Sequence, residues 1–193
     1  MRWRRSNVSP DSATEPEAQA GFPCTASEMR ALLTERGWLR DSYSSQHDER
    51  TESWLADAAQ WLGPQARDRE SLARLVGLIF HYEPSEVLAA PEAHAVLLRK
   101  GAREVVRALA SEALACETID SDRFKEIVNA LKKKLGHSGR VLFHPIRLAL
   151  AGQVGEGELD RVIVLIDRAA AAPGLAPVKT IRARILEFCA ALD

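Results

Sequence analysis

Cysteine is scarce in this sequence, and the thiols are spaced neither for a metal site nor for disulfides. The three cysteines, Cys24, Cys116 and Cys189, are odd in number, far apart and without a Cys-x-x-Cys pair. This usage favours a reducing compartment and argues against structural zinc. We therefore expect buried or idle thiols and no metal.

Long apolar runs are also missing. No stretch approaches the roughly 20 apolar residues that a membrane-spanning helix needs. The basic start of the chain, with Arg2, Arg4 and Arg5, is not followed by an apolar segment, so it does not have the pattern of a secretory signal. We expect a cytoplasmic protein without membrane contacts.

The sequence lacks the residue constellations of an enzyme. It has no Gly-rich phosphate loop, no nucleophile beside a base and no paired carboxylates in an apolar setting. His137 and His144 have no acidic or cysteine partner at the spacing of metal ligands. We expect no cofactor and no catalysis by this chain alone.

The charges are nearly balanced overall, but one region departs from that balance. The formal net charge is -1 at pH 7, so no overall field attracts nucleic acid. Between residues 123 and 150, however, seven basic residues face a single acid, Glu126. Lys132, Lys133, Lys134 and Arg140 of this region either contact the phosphates of a polyanion or remain a solvated face whose lysines stabilise a helix end.

Apolar residues recur at helical spacing, and no segment alternates for long enough to form a sheet. We therefore expect an all-α fold, a compact bundle of about seven to eight helices. Residues 1–24 lack periodicity and should be disordered. Residues 25–63 should form an N-terminal helical hairpin, and residues 64–193 a helical domain.

Two sequence features of the hairpin lead to specific predictions. Thr25 and Glu28 have the spacing of a capping box, which predicts the start of the first helix. Trp54 and Trp61 lie seven residues apart on one face of the second helix. They are either part of the core or an exposed platform for stacking bases, and we favour the core.

Proline, glycine and capping residues predict further helix boundaries. Pro91 suits a first helical position, and the apolar seam that follows predicts one long helix that extends to Ala113. Ser121 or Asp122 should cap the next helix, which Gly136 should end.

The most informative stretch is residues 139–152. Pro145 can begin a short helix there, and Gly152 can end it. The residues between them are apolar on every side except for Arg147, so other helices should surround the segment. Arg147 either reaches an RNA phosphate or base, or is buried and bonded to helix-end carbonyls or a carboxylate. We favour the buried role.

The residues Pro145, Ile146, Arg147, Ala149, Leu150 and Gly152 resemble a pattern in the last domain of bacterial glutamyl-tRNA synthetases. That pattern is a proline, an aliphatic residue, arginine, any residue, and then Ala-Leu-Thr-Gly. The resemblance extends back through Pro91-Glu92-Ala93-His94-Ala95-Val96-Leu97 and Ser71-Leu72-Ala73-Arg74-Leu75, and covers roughly residues 65 to 190. The catalytic signatures His-Ile-Gly-His and Lys-Met-Ser-Lys-Ser are absent. The resemblance implies a stand-alone anticodon-binding domain without the catalytic domain.

The same resemblance implies a function and a set of contacts. The partner would be tRNA, either tRNA-Glu or a related species, and a separate catalytic synthetase subunit would complete tRNA glutamylation. An arginine near the start of the third helix lies beside the anticodon in the family. Arg67 and Arg69 are the candidates here, although both can equally be solvated surface charges. The full set of candidate RNA-binding residues is Arg67, Arg69, Lys132, Lys133, Lys134, Arg140 and Arg147.

An alternative function is a protein-interaction module that keeps the scaffold but has lost RNA binding. It predicts that Glu104, Glu112 and Glu117 interrupt the positive surface. It also predicts an exposed apolar patch on the last helix, whose stripe runs from Val178 to Leu192 and could close the bundle or dock a partner.

Overall fold

The fold consists of α-helices joined by short turns. The computed structural model describes residues 21–41, 43 and 48–193. The helices in these ranges are α1 (Ala26–Glu35), α2 (Glu49–Leu62), α3 (Arg69–Phe80), α4 (Pro84–Ala89), α5 (Pro91–Leu97), α6 (Ala102–Leu114), α7 (Ser121–Leu135), α8 (Gly139–Ala151), α9 (Glu158–Ala170) and α10 (Ile181–Leu192), with one 3-10 turn at Gly63–Gln65. The only β pairing recorded in the described ranges is an isolated bridge between Leu39 and Leu175. The all-α prediction is confirmed.

The predicted start of α1 is confirmed. The Thr25 hydroxyl accepts from the backbone N–H of Glu28 at 3.2 Å, and the Glu28 carboxylate accepts from the N–H of Thr25 at 2.7 Å. These bonds satisfy two donors that a helix start leaves free. The helix gives way to a turn at Gly37, whose φ is 69°.

The helix around Pro145 is longer than predicted. It begins at Gly139, and Pro145 lies inside it. The proline removes one helical hydrogen bond, the one to the carbonyl of Val141. Because α8 packs against α5, α6, α9 and α10, tertiary packing outweighs this local cost. The predicted end is correct, since Gly152 follows the helix with a φ of 75°.

Two other boundaries differ from the predictions. A helix begins at Pro91, but it ends at Leu97, and Gly101 then adopts a φ of 88°, a left-handed conformation that interrupts a right-handed helix. The cap of α7 is Asp120, whose carboxylate accepts from the N–H groups of Asp122 and Arg123 at 3.1 and 2.8 Å. With the predicted long helix split in this way, ten α-helices fill the described ranges rather than the seven to eight expected.

Trp54 is part of the core. It is 1% exposed, and its indole N–H donates to the carbonyl of Leu165 at 3.1 Å. Trp61 is half-buried, and the Arg168 guanidinium lies over its ring, 5.4 Å from the centroid. The α1–α2 hairpin therefore shares one hydrophobic core with the later helices.

Residues 1–20 of the predicted disordered segment lie outside the described residues. Residues 21–24 run beside the link between α2 and α3, where the N–H of Phe22 donates to the carbonyl of Ala66 at 2.8 Å. The division of the chain at residues 63 and 64 stays a prediction. None of the helices in the described ranges is both long and apolar enough to cross a membrane.

Two buried charged residues tie helix ends together. The Asp167 carboxylate accepts from the N–H groups of Ile119 and Ile181, each at 2.8 Å, and burial raises the pKa of this carboxyl. Arg184 is fully buried, and its hydrogen bonds within the described ranges are all to backbone carbonyls. The role of neither residue was predicted from the sequence.

Candidate nucleic-acid interface

Four of the predicted basic residues lie at one corner of the bundle. Lys132, Lys133 and Lys134 form the last turn of α7, and Arg140 lies in the first turn of α8. Because the turn between the two helices contains only residues 136–138, the four side chains are close in the fold. We call Lys132, Lys133, Lys134 and Arg140 the basic corner.

The lysines of the basic corner are available for a ligand. All three are exposed, and within the described ranges none forms an ion pair. Arg140 is also exposed, and it makes a long contact of 3.3 Å to the Glu156 carboxylate. The lysines also lie at the C-terminal end of α7, where positive charge interacts favourably with the helix dipole. The geometry therefore agrees both with phosphate contacts and with a solvated helix end.

The other basic residues of α7 are already paired. Arg123 contacts the Glu126 carboxylate and Lys125 contacts the Asp122 carboxylate, each at 2.9 Å. Arg123 also donates to the Cys116 sulfur at 2.9 Å. The free positive charge of α7 is therefore concentrated at its C-terminal end.

Arg147 is held inside the protein. Its exposure is 6%, and its Nε and Nη2 donate to the two carboxylate oxygens of Asp160, both at 2.8 Å. Its Nη1 donates to the carbonyl of Gly155 at 2.7 Å, and its guanidinium lies 5.0 Å from the centre of the Phe143 ring. This is the arrangement that the buried role predicted, and it locks α8 to the start of α9.

Replacing Arg147 with methionine is expected to lower the free energy of unfolding by about 2–3 kcal/mol, because a carboxylate and a carbonyl lose their charged partner. Urea unfolding followed by circular dichroism measures the loss. The matched control is Arg161→Met, which changes an exposed arginine of α9 and should alter stability by less than about 0.5 kcal/mol. Equal losses in the two variants would contradict the structural role.

Arg67 and Arg69 lie at the start of α3 and are exposed. Arg69 pairs with Glu35 of α1 at 2.8 Å. Asp68, between them, caps the helix and accepts from the N–H of Ser71. Since α3 packs on α2 and α9, whereas α7 packs on α6, these arginines belong to a different part of the bundle from the basic corner.

The structure adds two basic residues that sequence reasoning missed. Arg99 and Lys100 are exposed in the turn between α5 and α6. The Arg99 Nη1 lies 3.5 Å from the Nδ1 of His144, and burial followed by the charge of Arg99 lowers the pKa of that imidazole. In the sequence, only the adjacent glycine marks this turn, and nothing indicates that it faces α8.

Gly101 fixes the position of that turn. A Cβ added at Gly101 would lie 2.4 Å from the Nε2 of His137, in the turn between α7 and α8. The two turns are therefore in direct contact, and the close approach depends on the missing side chain.

Replacing Gly101 with alanine is expected to destabilise the protein by about 2–3 kcal/mol, because a positive φ and a steric clash act together. Gly136→Ala is the matched control, since Gly136 also has a positive φ but no atom within 4 Å of an added Cβ. It should lose only about 1 kcal/mol, the cost of the backbone conformation. Thermal unfolding of the two variants measures the difference, and equal losses would show that the contact with His137 contributes nothing.

Two clefts differ in the charge of their lining. A cleft of about 440 Å³ opens between α7, α8 and α9, and Asn129, Phe143 and Arg161 are among its lining residues. A larger cleft of about 840 Å³ is lined by Glu83 and Glu86 among other residues, so it presents the wrong charge to phosphates. Of these two clefts, the first has the lining that suits a phosphate-bearing ligand better, since Lys125 and Arg161 lie in it.

The features expected for a protein-interaction module are present in part. Glu104 and Glu117 are exposed, and Glu112 is half-buried. On α10 the stripe residues Ile181, Ile185 and Phe188 are fully buried, so this face closes the bundle; among the large apolar residues of this helix, Leu186 is exposed.

Comparison with known proteins agrees with this architecture. The family model described as an anticodon binding domain matches residues 28–171. The glutamate–tRNA ligase of Oceanobacillus iheyensis is 30% identical over 125 residues, which are 65% of this chain and 25% of the ligase. The glutamate–tRNA ligase of Bacillus anthracis is 30% identical over 122 residues, 62% of this chain and 24% of the ligase.

The match is thus restricted to one part of the relatives, since the aligned part of the chain spans about a quarter of the length of these ligases. The family model covers most of the chain, including nearly all of the α1–α2 hairpin and the stretch around Arg147. The chain therefore belongs to the anticodon binding domain family.

Proposed function

We propose that this chain is a noncatalytic tRNA-binding module. The observation that carries the proposal is the basic corner, where three exposed lysines without ion pairs in the described ranges and one exposed arginine lie together on an anticodon-binding scaffold. The partner is tRNA-Glu or a related tRNA. A separate catalytic synthetase subunit carries out the glutamylation, in the cytoplasm.

The basic corner would act through phosphates. Lysine and arginine side chains that neutralise phosphates release condensed counterions, and this release drives binding without reading sequence. The three lysines can contact phosphates without first breaking an ion pair, because no carboxylate in the described ranges is paired with them. Arg140 must exchange its long contact with Glu156 for a phosphate, so we expect it to contribute less than a lysine.

Selectivity among tRNAs requires contacts with unpaired bases. The cleft beside α7 supports such a contact, because Lys125 and Asn129 line it. Lys132 follows Lys125 by seven residues on the same face of the helix, so this face leads from the cleft toward the basic corner. Phe143 supplies an aromatic wall there. Arg67 and Arg69 remain candidates for a second contact with the RNA. Arg147 would contribute indirectly, by holding the Phe143 ring in place.

The test is the binding of bulk tRNA and of a tRNA-Glu transcript to the purified protein across a salt series. We expect the logarithm of the affinity to fall linearly with the logarithm of the salt concentration, by about 0.7–0.9 per phosphate contact. Tighter binding of the tRNA-Glu transcript than of an unrelated transcript would support the selectivity. Absence of binding even at about 50 mM salt would contradict the proposal.

One observation favours the alternative, a protein-interaction module. Leu98 is 86% exposed at the edge of a shallow groove of about 330 Å³ that includes Leu97 and Leu192. Contiguous apolar surface marks interaction sites, so the groove and Leu98 together are a candidate docking surface. If the protein binds no tRNA, Leu98→Ser is the variant with which to test a protein partner.

A further inference from the structure

The turn between α5 and α6 carries two cations toward the basic corner. Arg99 and Lys100 are both exposed, and they precede Gly101, the residue that packs on His137. His137 itself lies in the turn that joins the lysines of α7 to Arg140 of α8. The two turns thus place cations on both sides of one contact.

The contact between Gly101 and His137 positions the turn between α5 and α6. A Cβ at Gly101 would come within 2.4 Å of the His137 ring, so the backbone of the first turn lies directly against the second. The Arg99 Nη1 lies 3.5 Å from the Nδ1 of His144, which is itself buried. Arg99 and Lys100 therefore have a defined position relative to α8.

The charges around the contact are strongly unequal. The two turns and the adjoining helix ends present six exposed cations, namely Arg99, Lys100 and the four residues of the basic corner. The acids nearest along the chain are Glu104 in the first turn of α6 and Glu126, which pairs with Arg123. Glu156 already contacts Arg140. The region therefore keeps a net positive charge.

We propose that Arg99 and Lys100 join the basic corner in one continuous phosphate-binding surface that spans both turns. The inference rests on the proposed function and extends it by two residues about 30 positions upstream of the lysines. Phosphate contacts from two separate turns fix the orientation of a bound polynucleotide, which contacts from a single helix end do not. The surface thus orients the tRNA and also attracts it.

The test uses the full chain and bulk tRNA in a salt series. The variant is Arg99→Gln with Lys100→Gln, and the matched control is Arg50→Gln with Arg74→Gln, which removes the same charge from exposed positions on α2 and α3. We expect the first variant to bind about 3–10-fold more weakly at about 100 mM salt and to lose about 1–2 from the salt slope. The control should keep the slope of the unmodified protein.

A single variant, Lys100→Gln, guards against a folding effect, because Arg99 contacts His144, whereas the Lys100 side chain forms no hydrogen bond or ion pair within the described ranges. It should keep the thermal unfolding midpoint and still reduce the slope by about 1. In the unmodified protein, the backbone amide resonance of Lys100 should shift in two-dimensional NMR spectra when tRNA is added.

The outcomes separate this inference from the proposed function. If the unmodified protein binds tRNA and the lysines of α7 matter, but the Arg99/Lys100 variant binds like the control, the inference fails and the proposed function stands. If the unmodified protein binds no tRNA, both fail. A reduced slope in the Arg99/Lys100 variant with an unchanged control supports the extended surface.

Discussion

Replacing Arg184 with methionine is expected to lower the free energy of unfolding by about 3–5 kcal/mol, a large part of the total stability of a domain of this size. The side chain is fully buried in α10. Burial lowers the pKa of Arg184 to about 10, so the guanidinium is still charged at neutral pH. Removing the guanidinium leaves buried hydrogen-bond acceptors without a donor.

Those partners are backbone carbonyls at helix ends. The guanidinium donates, at distances of 2.5–3.2 Å, to the carbonyls of Leu78, Ile79, Leu150 and Lys179. The last carbonyls of a helix lack helical partners, and a buried one without any partner costs about 1–3 kcal/mol. One side chain thus closes the ends of α3 and α8 and the segment before α10. The Tyr82 ring, with its centroid 4.6 Å from the guanidinium, adds a cation–π contact.

The measurement is urea unfolding followed by circular dichroism. Arg182→Met is the control, since Arg182 lies on the same helix but is exposed, with one long bond of 3.3 Å to the carbonyl of Leu114. It should change stability by less than about 1 kcal/mol. Arg184→Lys keeps the charge but cannot reach all the carbonyls, so we expect an intermediate loss. A loss below about 1 kcal/mol in Arg184→Met would contradict the account.

Replacing Lys132, Lys133 and Lys134 together with alanine is expected to weaken tRNA binding by about 10–100-fold at about 100 mM salt. Each lost phosphate contact removes about 0.7–0.9 from the salt slope, so the slope should fall by about 2–3. The fold should be unaffected, because the three side chains are exposed and form no ion pair in the described ranges. Loss of the favourable interaction with the helix dipole should lower stability by less than about 1 kcal/mol.

The control separates a local contact from a change in net charge. Arg40, Arg50 and Arg74 are exposed on other parts of the molecule, and their joint replacement with alanine removes the same charge. This control should keep most of the slope, because a general field is screened within about 10 Å at about 0.1 M salt. If both triple variants weaken binding equally, the basic corner makes no specific contact with RNA.

The local signals that the sequence contains were sufficient for several elements. The capping box at Thr25 and Glu28 and the left-handed glycines Gly136 and Gly152 specify helix ends through bonds within a few residues, and these ends were predicted correctly. The position of Pro145 was misread, because its local preference for a first turn competes with the burial of the whole segment.

The candidate site was only partly accessible to sequence reasoning. Lys132, Lys133, Lys134 and Arg140 are neighbours along the chain, so their clustering needed no tertiary information. Arg99 and Lys100 lie far from them in sequence, and only the packing of Gly101 on His137 reveals that they are close. The buried pair of Arg147 and Asp160 was foreseen as a role for the arginine but without its partner.

The sequence by itself thus determined the all-α class, the resemblance to an anticodon-binding domain and the helix ends set by local hydrogen bonds, because periodicity and capping act over a few residues. Only the tertiary structure decided which charges are buried and which are free. Arg184 and Lys132 are both cations on amphipathic helices, but the first fills a space where helix ends meet and the second faces water. That difference depends on how distant helices pack, which no local pattern specifies.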